Sequence, residues 1–318
     1  MKKAINQIVV SSLLAFALIL QTPVVWADDF AQMAQSQLAT YMLMKDMNLG
    51  SRSRLKTVSE KVSQAENGID FVEIVLEQAG VGTIRLMAKG PRGFSTRRDK
   101  KLRSLFVASG LFAGRETVKL VNSLEDMVIV GYEYPYNAEQ MARRPALAYE
   151  FMKQTPAQIA ASLQWLSERT WQNPYEIYTI GVSLGGLFLP SALHIAQTIN
   201  VPVKGSIFAY TGAELKSVLT QGLREHLPPE AVPLSITAVN ALTVFHDPAL
   251  HLPYLRGQFL TIRSDRDQVF PAESSIRIEK LLPEPKRVEV VSGAHINTDQ
   301  TELIVKTQDL ILNWLGSL

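Results

Sequence analysis

The sequence predicts an α/β protein: a mostly parallel sheet of about eight strands, covered by helices on both faces. Three observations carry this reading. Short β-rich apolar runs alternate with helix-periodic stretches along most of the chain. At 47% hydrophobic residues, the chain has enough apolar mass to bury a large core. One tight turn, Gly181-Val182-Ser183-Leu184-Gly185, joins a strand run directly to a helical run.

Composition bounds the chemistry. With 18 Gly and 16 Pro in 318 residues, collagen-like, low-complexity and wholly disordered classes are excluded. Zero cysteines exclude disulfides, thiolate metal sites, iron–sulfur clusters and cysteine nucleophiles, leaving Ser, His and the carboxylates as reactive groups. The net charge is +2, and without Lys2 and Lys3 it becomes even, so the global balance implies no polyanionic partner. No nucleic-acid motif, phosphate-cradling loop or repeat is visible, and neither a cofactor nor a metal is expected.

The first 27 residues are read apart from the fold. Lys2-Lys3, the apolar stretch Ile8 to Leu20, and Val25-Trp26-Ala27 follow the pattern of an export signal. The apolar run is short for a membrane span, which takes about 20 residues. The mature chain is therefore expected to begin at Asp28, without a stable span, in the periplasm or outside the cell.

Residues 28–68 are expected to form an N-terminal helical segment. Phe30, Met33, Ala34, Leu38, Tyr41 and Met42 recur at helical spacing. Leu55, Val58, Val62 and Ala65 repeat in the same way, with Gly50 and Gly68 as stops. An amphipathic helix packed on the main domain is the expected role.

From Ile69 to Leu318 one continuous domain is expected. Phe71–Leu76 and Thr83–Ala88, joined at Gly80-Val81-Gly82, read as a hairpin. Further strand runs follow at Leu105–Ala108, Met127–Val130, Ile177–Ile180, Gly205–Ala209, Phe259–Ile262 and Val288–Val291. Helices are expected between them, over Pro156–Trp171 and Ala272–Leu282. Pro190 falls inside the helix after Ser183 and is expected to kink it. The basic residues Arg92, Arg97, Arg98, Lys100, Lys101 and Arg103 read as a solvated loop, or as a patch for an anionic surface.

Residues 213–256 interrupt the rhythm with Pro228-Pro229, Pro233, Pro248 and Pro253. A connection this long is functional or disordered as a rule, and it reads as a small helical lid. Its apolar residues, Leu242 and Phe245 among them, either contact substrate or form a fixed roof. His246 and His251 lack metal-site spacing, and His194 and His226 read as packed or loop side chains.

The chemistry centres on Ser183. A strand-to-helix turn at a single residue forces that residue into a strained backbone, and glycines at 181 and 185 remove the collisions side chains would make. The helix start aims free N–H groups at the serine oxygen. A hydroxyl becomes a nucleophile only when a base takes its proton, and His295, after the Val288–Val291 run, can do so. A carboxylate must hold that imidazole in one tautomer. Asp265 and Asp267, after the Phe259–Ile262 run, compete for the role.

With these residues in place, the stretch from about Ile69 to Leu318 resembles the α/β-hydrolases, whose triad follows in the order Ser, acid, His. The resemblance favours Asp267, which stands before Val269-Phe270-Pro271, as the acid. It implies oxyanion donors from the backbone of Leu184 and from the turn Ser109–Gly114, with Leu111 in the donor position. Ser109 stands where many relatives carry His. The implied activity is that of an exported serine hydrolase acting on carboxylic esters of small molecules through an acyl-enzyme. A peptidase or acyltransferase on the same triad, and a catalytically silent binding protein, are the alternatives. The sequence does not fix the oligomeric state.

Overall fold

The computed structural model describes residues 28–45, 55–97, 100–110, 113–122, 124–144, 146–215, 217–218 and 244–318. The leader, Leu111, His226 and Leu242 lie outside the described residues.

A 9-stranded sheet forms the centre, in the order β1-β2-β3-β5-β4-β6-β7-β8-β9. Strands β1 (Lys56–Glu66), β2 (Ile69–Gln78) and β3 (Gly82–Pro91) form an antiparallel meander that pairs antiparallel with β5 (Met127–Glu133). From β5 onward every pairing is parallel, through β4 (Leu102–Ala108), β6 (Gln172–Val182), β7 (Gly205–Ala209), β8 (Gln258–Ser264) and β9 (Lys286–Val291). Every strand run expected from the sequence lies inside one of these elements. Parallel strands need crossovers, and these place helices on both faces of the sheet.

One face is covered by α1 (Asp28–Met44), α3 (Ala146–Ser167), α4 (Leu184–Thr198) and α6 (Ala272–Leu281). A short helix α2 (Ala138–Arg143) precedes α3, closed at its start by an Asn137–Gln140 capping box. The opposite face is covered by a 3₁₀ turn, Gly114–Lys119, and by the C-terminal helix α7 (Thr301–Gly316), whose Ile311, Trp314 and Leu315 are buried. Between them lies α5 (Pro248–His251) in chain order, which packs on α4.

Three expectations are corrected. Residues 56–66 are a strand, not a helix: Asn67 (φ 50°) and Gly68 (φ 80°) form a left-handed pair that turns β1 onto β2. That pair twists as a two-residue hairpin requires, whereas the spacing of Val58 and Val62 is coincidental, since both are 55% exposed. The sheet therefore begins at Lys56 rather than after residue 68. Helix α1 does pack on the domain, but through Ser36, Ala39, Thr40 and Leu43, while Leu38 and Tyr41 face outward. Helix α3 begins well before Pro156.

Of residues 213–256, the described stretch 244–256 is seated on the core, as are Ala213 and Leu215 at the start. His251, Leu252 and Leu255 are buried, and Phe245 packs against the cluster that holds α3 and α4. In the basic segment, Arg103 pairs with Asp126 at 2.9 Å, and Lys101 donates to the Thr170 carbonyl.

Candidate active site

Ser183 stands between β6 and α4 with φ 54° and ψ −120°, a conformation that a residue with a side chain holds only when its surroundings impose it. The neighbouring glycines show why. A Cβ on Gly185 would lie 1.9 Å from the Ala108 carbonyl oxygen, and one on Gly181 would lie 2.7 Å from the Gly186 Cα. The turn is thus wedged against the end of β4, and the Ser183 N–H donates to the Ala209 carbonyl at 2.9 Å. Backbone on both sides holds the serine at the carboxyl end of the sheet.

His295 lies in the loop after β9 with its side chain 7% exposed, and Asp267, after β8, with its side chain 5% exposed. His295 Nε2 is 2.9 Å from Ser183 Oγ, and His295 Nδ1 is 2.8 Å from Asp267 Oδ2. A carboxylate can only accept, so Nδ1 carries the proton and donates to Asp267. Nε2 then presents its lone pair, and the Ser183 hydroxyl donates to it. Asp267 is fixed in turn: its Oδ1 accepts the N–H groups of Val269 and Phe270 at 2.8 and 2.9 Å. The Phe270 and Tyr210 rings flank the imidazole at 5.6 and 6.3 Å between centroids.

Asp265 sits elsewhere. It is exposed, and its Oδ1 accepts the Gly293 N–H at 3.0 Å, which holds its carboxyl below the usual carboxylate range. It bonds the backbone of the histidine loop rather than its own, tying the ends of β8 and β9 together.

Leu184 is the first residue of α4, so its N–H has no partner within the helix and lies beside Ser183. Gly110 also approaches: a Cβ there would lie 3.9 Å from Ser183 Cβ. The turn that carries Gly110 is braced from β5, because the buried Tyr134 hydroxyl donates to the Ser109 carbonyl at 2.6 Å. Burial pushes the Tyr134 phenol up, so it stays a neutral donor. Sequence reasoning did not single out Tyr134 or Tyr210, and it used Phe270 only to place Asp267. The dense Tyr132-Glu133-Tyr134-Pro135-Tyr136 run after the β5 core was the available signal for Tyr134.

A cavity of about 510 Å³ adjoins Ser183, Leu184 and His295. It extends beneath the sheet between α7 and the 3₁₀ turn Gly114–Lys119, walled by residues such as Val107 and Ile311. Phe245 does not line it; that residue lies on the opposite side of the sheet.

The other described histidines form a separate group beneath α1. His194 Nδ1 faces Thr40 Oγ1 at 3.0 Å and His251 Nδ1 at 3.2 Å, and His251 Nε2–H donates to the Phe245 carbonyl at 2.8 Å. His246 packs its ring on Phe188. Among the described residues, no group of three His, Cys, Asp or Glu side chains could hold a metal ion. No described helix is long and apolar enough to cross a membrane.

The sheet order, with Ser183 after β6, Asp267 after β8 and His295 after β9, is that of an α/β-hydrolase fold. No family model matches the sequence, and no curated protein matches it. Solved structures do match in three dimensions. Acetyl xylan esterase 1 from a Thermoanaerobacterium species aligns with a TM-score of 0.62 at 12% identity, over 87% of this chain and 93% of that one. Acetyl xylan esterase from a Paenibacillus species aligns with a TM-score of 0.61 at 13% identity, over 90% and 92%. A prolyl endopeptidase aligns with a TM-score of 0.57 at 14% identity, over 81% of this chain but 39% of that one. These likenesses define the fold.

Proposed function

We propose that this chain is a serine hydrolase that cleaves carboxylic esters, with Ser183 as nucleophile, His295 as general base and acid, and Asp267 as the orienting carboxylate. The observation that carries the reading is the run of two short hydrogen bonds, 2.9 Å from Ser183 to His295 and 2.8 Å from His295 to Asp267, at a serine held with positive φ. A strained serine bonded to a buried, tautomer-fixed imidazole has a ready chemical use and no structural need.

In the reaction, His295 Nε2 takes the Ser183 proton as Oγ attacks the acyl carbon. The Leu184 N–H and a donor from the 109–114 turn stabilise the oxyanion. The ester C–O bond then breaks, and the imidazolium returns its proton to the leaving alkoxide. Water repeats the sequence on the acyl-enzyme, releasing the acid and restoring the serine. The full extent of the two acetyl xylan esterase likenesses, against partial coverage of the prolyl endopeptidase, favours esters over peptides. The leader pattern of residues 1–27 supports a place outside the cytoplasm as part of the same proposal.

A fluorophosphonate probe tests the nucleophile. It is expected to label the wild-type protein and not Ser183→Ala, with p-nitrophenyl ester turnover falling by several orders of magnitude in that variant. Equal labelling of both proteins would remove Ser183 from the role.

A further inference from the structure

We infer that the cavity under the sheet is the acyl site, and that the preferred substrates are esters of medium-chain, unbranched fatty acids of about eight to twelve carbons rather than acetate. The inference rests on the hydrolase reading for its catalytic half, and on the cavity alone for its binding half.

The space exists because the two faces of the sheet are covered unequally. The connection between β4 and β5 contains, among its described residues, only the 3₁₀ turn Gly114–Lys119. On the other face, the connection from β5 to β6 carries the 22-residue α3. A six-residue turn cannot span the strands beneath it, and α7 reaches only part of the remainder. The gap left between them is the cavity, with a volume of about 510 Å³, in the range of small-molecule sites.

Its chemistry selects the occupant. Apart from His295 at the serine, no described lining residue is ionisable. Three polar side chains of the inner wall are already engaged: Thr117 Oγ1 donates to the Gly114 carbonyl at 2.8 Å, and Gln308 Nε2 donates to the Leu120 carbonyl at 2.6 Å. Thr307 is likewise bonded to Tyr210 at 2.7 Å. Asn122, Asn297 and Thr298 place polar side chains at the exposed edge of the lining, but the wall within is mostly apolar, and an alkyl chain needs no polar partner there.

Its length follows from the strand. Leu105, Val107 and Ser109 line it at alternate positions, and at about 3.3 Å per residue they span about 13 Å. At about 1.2 Å per bond of extended chain, that distance holds roughly ten bonds. Ser183 and Gly110 mark the end where the carbonyl sits, and the chain runs down the sheet face towards Met127, the first residue of β5.

The test measures kcat/KM for p-nitrophenyl esters from acetate to palmitate, together with binding of sodium decanoate by titration calorimetry to the full-length Ser183→Ala protein. Leu312→Trp and Val121→Trp place bulk in the cavity at two half-buried positions. Wild type is expected to prefer decanoate to acetate by at least tenfold. Each Trp variant is expected to lower that ratio at least tenfold and to weaken decanoate binding. Binding of decanoate without hydrolysis of any ester would keep the acyl site and overturn the hydrolase reading. Acetate preference with no decanoate binding to Ser183→Ala would overturn the acyl site and leave the hydrolase reading standing. Should a Trp variant fail to fold, the Ser183→Ala titration, which removes one hydroxyl at the mouth and leaves the apolar walls unchanged, decides the matter.

Discussion

Asp265 and Asp267 are two residues apart and carry the same side chain; position alone separates them. Asp267 Oδ2 meets His295 Nδ1 at 2.8 Å, while Asp265 reaches the Gly293 N–H at 3.0 Å across the same pair of loops. Asp267→Asn replaces an acceptor-only group with one that can present N–H to the imidazole, which favours the wrong tautomer. Turnover of p-nitrophenyl esters is expected to fall by about 10³- to 10⁴-fold. Asp265→Asn keeps an oxygen for the Gly293 N–H, and a loss below about threefold is expected, since an exposed amide–backbone bond contributes little. Comparable losses in the two variants would show that loop geometry, not the tautomer, governs His295. At this scale the sequence was informative, because Ser183 and His295 stand in turns whose flanking residues have a steric or topological reason. It was silent on Tyr134, whose 2.6 Å bond to the Ser109 carbonyl joins residues brought together only by the parallel pairing of β4 with β5.

Among the elements, strands were legible wherever burial on both faces made them continuously apolar, as in Gly205–Ala209, where all five residues are buried. Edge strand β1 was not, because its residues are nearly all exposed and leave no burial pattern to read. The Asn67-Gly68 pair carried the local information instead. The insertion after β7 was legible as an interruption but not in its placement, since apolar content does not say which side of a sheet it covers. Its two ends are tied to each other through a half-buried side chain. Asp247 accepts from the backbone N–H groups of Glu214 at 3.0 Å, Leu215 at 2.9 Å and Ala249 at 2.9 Å. Burial pushes its carboxyl above the ordinary range, with the three N–H groups acting against that. Asp247→Ala would leave three donors without their acceptor, and a loss of about 2–3 kcal/mol in urea unfolding is expected, a charged acceptor being worth about that much. Limited proteolysis is expected to cut the variant within residues 214–247 before the rest of the chain. Cleavage at wild-type rates would mean that the insertion is held by packing alone.

Over the whole molecule, the sheet separates two regions with different tasks: the face of α7 and the short 3₁₀ turn holds the cavity, and the face of α1, α3 and α4 holds the larger core. The cavity was invisible in the sequence because it is made by what the β4–β5 connection lacks, and its walls read as ordinary strand residues. The larger core instead contains three histidines at the junction of α1, α4 and the 244–256 segment, and helix α4 begins immediately after Ser183 at its far end. Burial pushes His246 down to about 4 and His251 down to about 3, and lowers His194 as well. The sign is then fixed. An unfolded chain takes up a proton at each histidine near pH 6.5, while the folded protein holds His246 and His251 neutral until near pH 4 and 3. Stability is therefore full above about pH 6.5 and falls as the pH drops below it, at about 1.4 kcal/mol per pH unit for each such histidine. Carboxylates at their ordinary values titrate lower, so the histidines dominate the interval from pH 6.5 to 5. His246 is the residue to change, because its buried Nδ1 has no hydrogen-bond partner among the described residues and its ring packs on Phe188. In urea titrations at pH 7.5 and pH 5.0, His246→Leu is expected to unfold at equal or higher urea at pH 7.5, since no bond of Nδ1 is lost. The drop in midpoint on going to pH 5.0 is expected to shrink relative to wild type. A drop equal to that of wild type would assign the acid sensitivity to other groups and leave the histidine junction a purely packed contact.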